Sequence, residues 1–395
     1  MRFSVIRTDG EARAGILSTT RGDVPTPAFM PVGTQGTVKT LGPRELREAG
    51  ARLILCNTYH LYLRPGTPVI ERAGGLHRFI RWEGPLLTDS GGYQVFSLPG
   101  LRRVEEEGVS FRSHHDGSLH GFTPEKVVDI QRGLGSDVMM VLDECPPYPS
   151  AREVVHASVG LTLRWAERSL GRRNRTRPLH GREQALFGIV QGGVFPDLRR
   201  SCARELRSLG FDGYAIGGLS VGEPAPLMYR MVEEATGELP SGLPRYLMGV
   251  GTPANILECI GRGVDLFDCV LPTRNGRNGM LFTRNGTLNL RNARFSMDLA
   301  PPDEACSCYT CRHFSRAYLR HLFRAGEVLG LQLATLHNLS YYELLVSGAR
   351  QAILAGCFPA WKAARLADLM QPDRARDTPS IKTKIGGQNE WCSTT

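Results

Sequence analysis

Eight short apolar runs recur between residues 29 and 271, and helix-like stretches separate them. The runs are Phe29–Val32, Leu53–Cys56, Pro85–Leu87, Val138–Leu142, Leu186–Val190, Tyr214–Ile216, Tyr246–Val250 and Leu266–Leu271. Runs this short suit strands buried on both faces, because an apolar helix needs about ten residues or more. Strand and helix alternating eight times predict an α/β fold with a parallel sheet, closed as a (β/α)8 TIM barrel. A doubly wound open sheet could use the same alternation. No Gly-x-Gly-x-x-Gly follows the first run, which counts against it. Helix starts are legible between the runs. Thr123-Pro124-Glu125 offers an N-cap, an N1 proline and a first-turn acid, and Thr252-Pro253 a similar pair. Ser340-x-x-Glu343 reads as a capping box.

The flanks add smaller pieces. Phe3 to Arg7 and Ala14 to Leu17 surround Asp9-Gly10, the signature of an N-terminal hairpin, and Asn285-Gly286 marks a second one. The expected organisation is a barrel core with its hairpin over 1–280, a zinc-binding subdomain over 281–340 and closing helices over 341–370. A polar, aperiodic tail over 371–395 is expected to be disordered.

A barrel builds its site where strands end. The tips here carry Asn57, Asp89, Asp143, Gln191, Gly217-Gly218 and, inside the eighth run, Asp268. Any one of these aspartates, taken alone, is better read as a cap or an ion-pair partner. Their repetition on one rim points to chemistry. Asp89 is followed by Ser90-Gly91-Gly92, where glycines allow a ligand close to the backbone, and by Tyr93, which could stack on a base. A carboxylate, an amide and exposed backbone groups together can read the edge of a purine. Arg274 and Arg277 follow the eighth run and could hold phosphates.

The net charge of +9, carried almost wholly by arginine, suits a nucleic-acid partner, although an arginine-rich composition produces the same excess. No apolar run is long enough to cross a membrane. Met1-Arg2-Phe3-Ser4 leads into charged residues rather than an apolar signal core, so a cytoplasmic location is expected.

Three of the ten cysteines fall within six residues, as Cys306-x-Cys308-x-x-Cys311, and His337 follows after 25 intervening residues. Three thiolates and an imidazole make a tetrahedral zinc shell with no open position, hence a structural site. His313 and His321 are rival fourth ligands. Arg312, Arg316, Arg320 and Arg324, spaced by four, predict a stripe on one helix, read as a solvated face in preference to a phosphate track.

Thr88-Asp89-Ser90-Gly91-Gly92, Asp143-Glu144-Cys145, Gly188 to Gly193, Phe267 to Arg274 and the Cys3His set occur in an order that resembles the bacterial tRNA-guanine transglycosylases. The resemblance runs from about Phe3 to about Leu369. It implies that Asp268 attacks C1′ of guanosine 34 in tRNAs with a GUN anticodon, giving a covalent ribosyl-enzyme, while Asp89 acts as general acid and base. Asp143, Gln191, Gly218 and Leu219 would read the base, with Ser90 and Asn57 beside them. Tyr93 and Met248 would sandwich the base, and Arg274 and Arg277 would hold the RNA. Cys145 and Val221 fit the bacterial pattern, in which the 7-deazaguanine preQ1 enters. The implied working unit is a homodimer with one structural zinc per subunit. Ser220 departs from the alanine common in the family. The histidines of Ser113-His114-His115-Asp116-Gly117 are read as a surface variant. A non-catalytic tRNA-binding partner subunit is the alternative, and it should lack one of the aspartates kept here. A zinc hydrolase would need an open metal position near the strand ends.

Overall fold

A computed structural model describes residues 1–96 and 102–370; the expected disordered tail lies outside the described residues. The eight strands form, in chain order, a ring of parallel neighbours. After the first come Ile54–Cys56, Leu86–Thr88, Val138–Met140, Ala185–Val190, Gly213–Ile216, Arg245–Leu247 and Leu266–Asp268. The first strand is in two pieces, Ala28–Met30 and Val32–Gly33. Pro31 separates them because it has no amide to give the ladder. Its carbonyl still accepts from Leu55 N at 3.0 Å. One piece pairs with the eighth strand (Leu266 opposite Ala28) and the other with the second (Val32 opposite Leu55), so the barrel closes.

Val138, Met139, Met140, Leu186, Phe187, Ala215, Ile216, Leu247 and Phe267 are all fully buried. Burial on both faces is why these strands read as unbroken apolar runs. The fourth, seventh and eighth strands end earlier than predicted, at Met140, Leu247 and Asp268. Val250 is buried in a loop, and Leu271 already belongs to the helix Leu271–Arg277. The predicted caps form: Thr123 Oγ1 accepts from Lys126 N and Thr252 Oγ1 from Asn255 N, both at 3.2 Å.

Other expectations are corrected. Ser340 caps nothing, because it lies inside the helix Val328–Ala355. That helix buries Leu333, Leu336, Leu339, Tyr342, Val346 and Ile353 along its length. Such burial outweighs the small helix penalty of a serine. The helix also crosses residue 340, where a subdomain boundary was expected. The arginine stripe is broken. Tyr309–His313 and Arg316–Ala325 are separate helices, and Ser315 Oγ caps the second by accepting from Tyr318 N. Arg316 pairs with Asp298 at 3.1 Å.

The N-terminal hairpin, Arg2–Asp9 and Ala12–Thr19, carries a third strand, Gly22–Thr26. It is tied to the barrel by Arg13, whose guanidinium meets Asp265 in a buried pair. A further three-stranded sheet (Arg102–Glu105, Gly108–Arg112, Leu119–Phe122) sits between the third and fourth barrel strands, where the sequence predicted none. The His114-His115 pair lies in its hairpin turn. His114 is exposed, as a surface variant should be, yet its ring stacks on Tyr59, with Nδ1 2.8 Å from the phenol oxygen.

Candidate active site and metal centre

The third strand delivers Asp89 to the rim with 7% of its surface exposed. Its carboxylate accepts four hydrogen bonds. Oδ1 takes Thr58 N at 2.8 Å and Gly91 N at 3.2 Å; Oδ2 takes Asn57 Nδ2 at 2.5 Å and Gln94 Nε2 at 2.8 Å. Burial nevertheless pushes its pKa up to about 6, and the negative charge of Asp268 adds to the rise.

Asp143, from the fourth strand, is equally buried. It accepts from Gln191 Nε2 at 2.7 Å and from Ser90 Oγ at 3.3 Å. Burial raises it to about 6 as well, with Asp89 contributing. Gly92 fits closely here: a Cβ on it would crowd the Asp143 carbonyl and Ser90 Oγ at 3.1 Å and Asp143 Oδ1 at 3.2 Å.

Asp268 ends the eighth strand, partly buried. Oδ1 accepts from Tyr246 OH at 2.6 Å and Gly249 N at 2.7 Å. Oδ2 accepts from no donor among the described residues. Burial raises the Asp268 carboxyl above its ordinary value.

Gln191 and Met248 converge on the glycine pair of the sixth strand end. A Cβ on Gly218 would fall 2.3 Å from Gln191 Oε1, and one on Gly217 would fall 3.6 Å from Met248 Sδ. Leu219 is buried. Tyr93 is exposed on the short helix Gly92–Phe96. Cys145, half-buried, has its thiol pushed up to about 12 by burial and is no nucleophile. Val221 and Gly218 line a small cleft with Tyr148 and Phe195. Arg274 is exposed, and Arg277 holds a buried Nη1 with no partner among the described residues. The rim thus joins Asn57 to Asp89, Ser90 and Gln191 to Asp143, and Gln191 and Met248 to the Gly217-Gly218 pair, while no hydrogen bond or ion pair among the described residues joins Tyr93, Arg274 or Arg277 to them.

Sequence reasoning missed the groups that hold them. Tyr246 and Gly249 N hold Asp268; Thr58 and Gln94 hold Asp89. Glu223 takes Ser220 N and Val221 N. Arg199 lies beneath the fifth and sixth strand ends. Tyr246, Gly249 and Thr58 act from other strand ends, which no local pattern signals, whereas Gln94 and Glu223 lie within five residues of their partners and carry no recognised motif.

Away from the rim, the ligand atoms of Cys306, Cys308, Cys311 and His337 lie within 4.8 Å of one another and can hold a metal ion. His337 Nδ1 faces Cys311 Sγ at 3.2 Å and Cys308 Sγ at 3.5 Å. Its Nε2 is 2.8 Å from the Phe282 carbonyl, which fixes Nε2–H as donor and leaves Nδ1 for the metal. His313 and His321 are not in the cluster. Asn338, next along, clamps the hairpin strand Met280–Thr283 through Phe282 N, Met280 O and Pro272 O, each at 2.9 Å.

These features define a class: a (β/α)8 barrel with a rim of buried carboxylates and a separate Cys3His metal centre. The sequence profile of the queuine tRNA-ribosyltransferase family matches residues 9–371. A protein named queuine tRNA-ribosyltransferase from Solidesulfovibrio magneticus is 57% identical over 361 residues, 91% of this chain and 96% of its own. One of the same name from Desulforamulus reducens is 57% identical over 343 residues (87% and 91%). Another, from Nitrosospira multiformis, is 55% identical over 364 residues (92% and 98%). The chain belongs to the queuine tRNA-ribosyltransferase family.

Proposed function

We propose that this protein exchanges guanine 34 in tRNAs with a GUN anticodon for preQ1, by double displacement through a covalent ribosyl-aspartate. Family membership makes it a tRNA-guanine transglycosylase, a pentosyltransferase. The observation that carries the finer reading is the unequal dress of two aspartates on one rim. Asp89 has both oxygens occupied by four donors, whereas Asp268 Oδ2 meets no donor among the described residues.

Asp268 Oδ2 attacks C1′, and the bond from C1′ to the purine nitrogen breaks with its electron pair leaving on guanine. Asp89 supplies the proton that guanine takes up. The incoming base then loses a proton to Asp89 and attacks C1′, and the ester to Asp268 breaks. Two inversions give retention, as in retaining glycosidases. A carboxyl held at about 6 can give and take a proton near neutrality. To do so, Asp89 must release one of its two side-chain amides, Asn57 or Gln94. Tyr246 and Gly249 N hold Asp268 in place through its other oxygen. Asp143 and Gln191 face the purine edge with Gly218 and Leu219, and Tyr93 and Met248 flank its faces. Arg274 and Arg277, whose Nη1 has no partner among the described residues, face phosphates of the anticodon loop.

We assign zinc to the Cys3His cluster, because thiolate softness selects it over magnesium or calcium and four ligands complete its shell. It supplies a structural cross-link and no reaction chemistry. A cytoplasmic homodimer with one zinc per subunit belongs to the same proposal.

The test is radiolabelled guanine with an unmodified GUN tRNA. Label should enter with wild type and stop with Asp268→Asn. A radiolabelled tRNA should give a protein adduct on denaturing gels. Tight tRNA binding by wild type with no incorporation would replace this reading with that of a non-catalytic tRNA-binding subunit.

A further inference from the structure

Arg199 lies on the helix Pro196–Leu209 with no exposed surface. No carboxylate among the described residues pairs with it. Its guanidinium instead donates to four backbone carbonyls. Nε reaches Gly193 O at 2.9 Å, Nη1 reaches Val190 O at 3.2 Å and Gly217 O at 2.7 Å, and Nη2 reaches Gly218 O at 3.2 Å. It thus grips both loops that carry the base-facing groups, Gln191 on one and Gly218-Leu219 on the other.

In a planar trans peptide, C=O and N–H point in opposite directions. Gly218 has φ +64°, and in this left-handed conformation successive carbonyls point roughly the same way instead of alternating. With Gly217 O and Gly218 O both turned to Arg199, the N–H groups of Gly218 and Leu219 must both point away from it. Neither amide donates to any acceptor among the described residues, whereas the next two, Ser220 N and Val221 N, are taken by Glu223. The result is a pair of adjacent unpaired donors, a backbone nest. Gln191 is beside it, since a Gly218 Cβ would meet its Oε1.

We propose that Arg199 is a positioning residue that orients the Gly218 and Leu219 amides toward the purine, and so sets the preference for a base bearing an acceptor such as a 6-oxo group. An amino group at that position offers hydrogens to two donors and is rejected. The inference rests on the transglycosylase reading. A lysine has one ammonium and cannot serve four carbonyls along two loops, so in Arg199→Lys the peptides can turn.

The experiment is guanine exchange kinetics with wild type and Arg199→Lys, beside inhibition by 2,6-diaminopurine and guanine-binding calorimetry on the free enzymes. KM and Kd for guanine should rise about tenfold or more in the variant, as loss of two well-placed hydrogen bonds implies. KM for tRNA should stay within about twofold, and the wild-type advantage of guanine over 2,6-diaminopurine should narrow by a similar factor. Should the lysine variant not fold, Arg199→Gln is read the same way. A variant with a lowered Tm but unchanged guanine affinity and unchanged discrimination would make Arg199 a fold brace and overturn the proposal. If wild type itself exchanges nothing, the transglycosylase reading fails, and calorimetry still decides whether Arg199 governs purine binding.

Discussion

Asp89 makes a quantitative prediction about pH. Its ordinary value is 3.8, and burial holds it at about 6 in the fold. That rise corresponds to about 3 kcal/mol once the group is ionised. The folded value lies above the unfolded one. Stability is therefore full at low pH and is lost as pH rises through about 6. Asp89→Asn removes the titration and relieves Asp143, whose own rise includes a contribution from the Asp89 charge. Urea unfolding of wild type and Asp89→Asn, with zinc kept saturating, should show wild type losing about 3 kcal/mol relative to the variant between about pH 4 and pH 8. A constant offset at lower pH is expected, because asparagine cannot accept all four donors. A difference that stays level across that range would show that the four hydrogen bonds fully offset burial and that Asp89 titrates as an ordinary carboxylate. The general acid and base role would then have lost its physical ground. Because guanine leaves with a proton from Asp89, kcat/KM for base exchange should fall on its alkaline limb, as pH rises through the same window.

Other consequences are simpler to check. Arg13→Met leaves Asp265 buried without its partner and should cost about 3–5 kcal/mol in denaturant unfolding, against a near-zero cost if the pair is not coupled to the barrel. Asn338→Ala strips partners from Phe282 N, Met280 O and Pro272 O and should cost about 3 kcal/mol or more, with faster hydrogen exchange at Phe282. Chelation of the metal should lower Tm and expose the hairpin Met280–Thr283 and Gly286–Asn289 to proteolysis, with activity falling in step. Activity lost at unchanged Tm would instead mean that the metal takes part in the reaction.

The barrel and its rim were legible because their signals are local. A strand buried on both faces must be apolar throughout, and the residue at its tip follows directly in the chain. Asp89, Asp143, Gln191 and Asp268 could therefore be placed without knowing how the strands pair. The Cys-x-Cys-x-x-Cys spacing is local in the same way. Its fourth ligand is not, and only the packing of the helix Val328–Ala355 against the hairpin selects His337 over His313 and His321. That packing also overrode the capping signal at Ser340. The sheet between the third and fourth barrel strands went unseen: its strands are short, and half of one (Leu119–Phe122) is polar or glycine.

The unequal dress of Asp89 and Asp268 lay furthest from view, together with the grip of Arg199 on two strand ends. By itself the sequence determined which residues stand at the rim, because period and tip are properties of consecutive residues. Tertiary structure alone decided which oxygen is free, which amide is unpaired and which charge is buried. Hydrogen bonding and desolvation are set by neighbours tens to hundreds of residues away in the chain, such as Asn57 for Asp89 and Arg13 for Asp265.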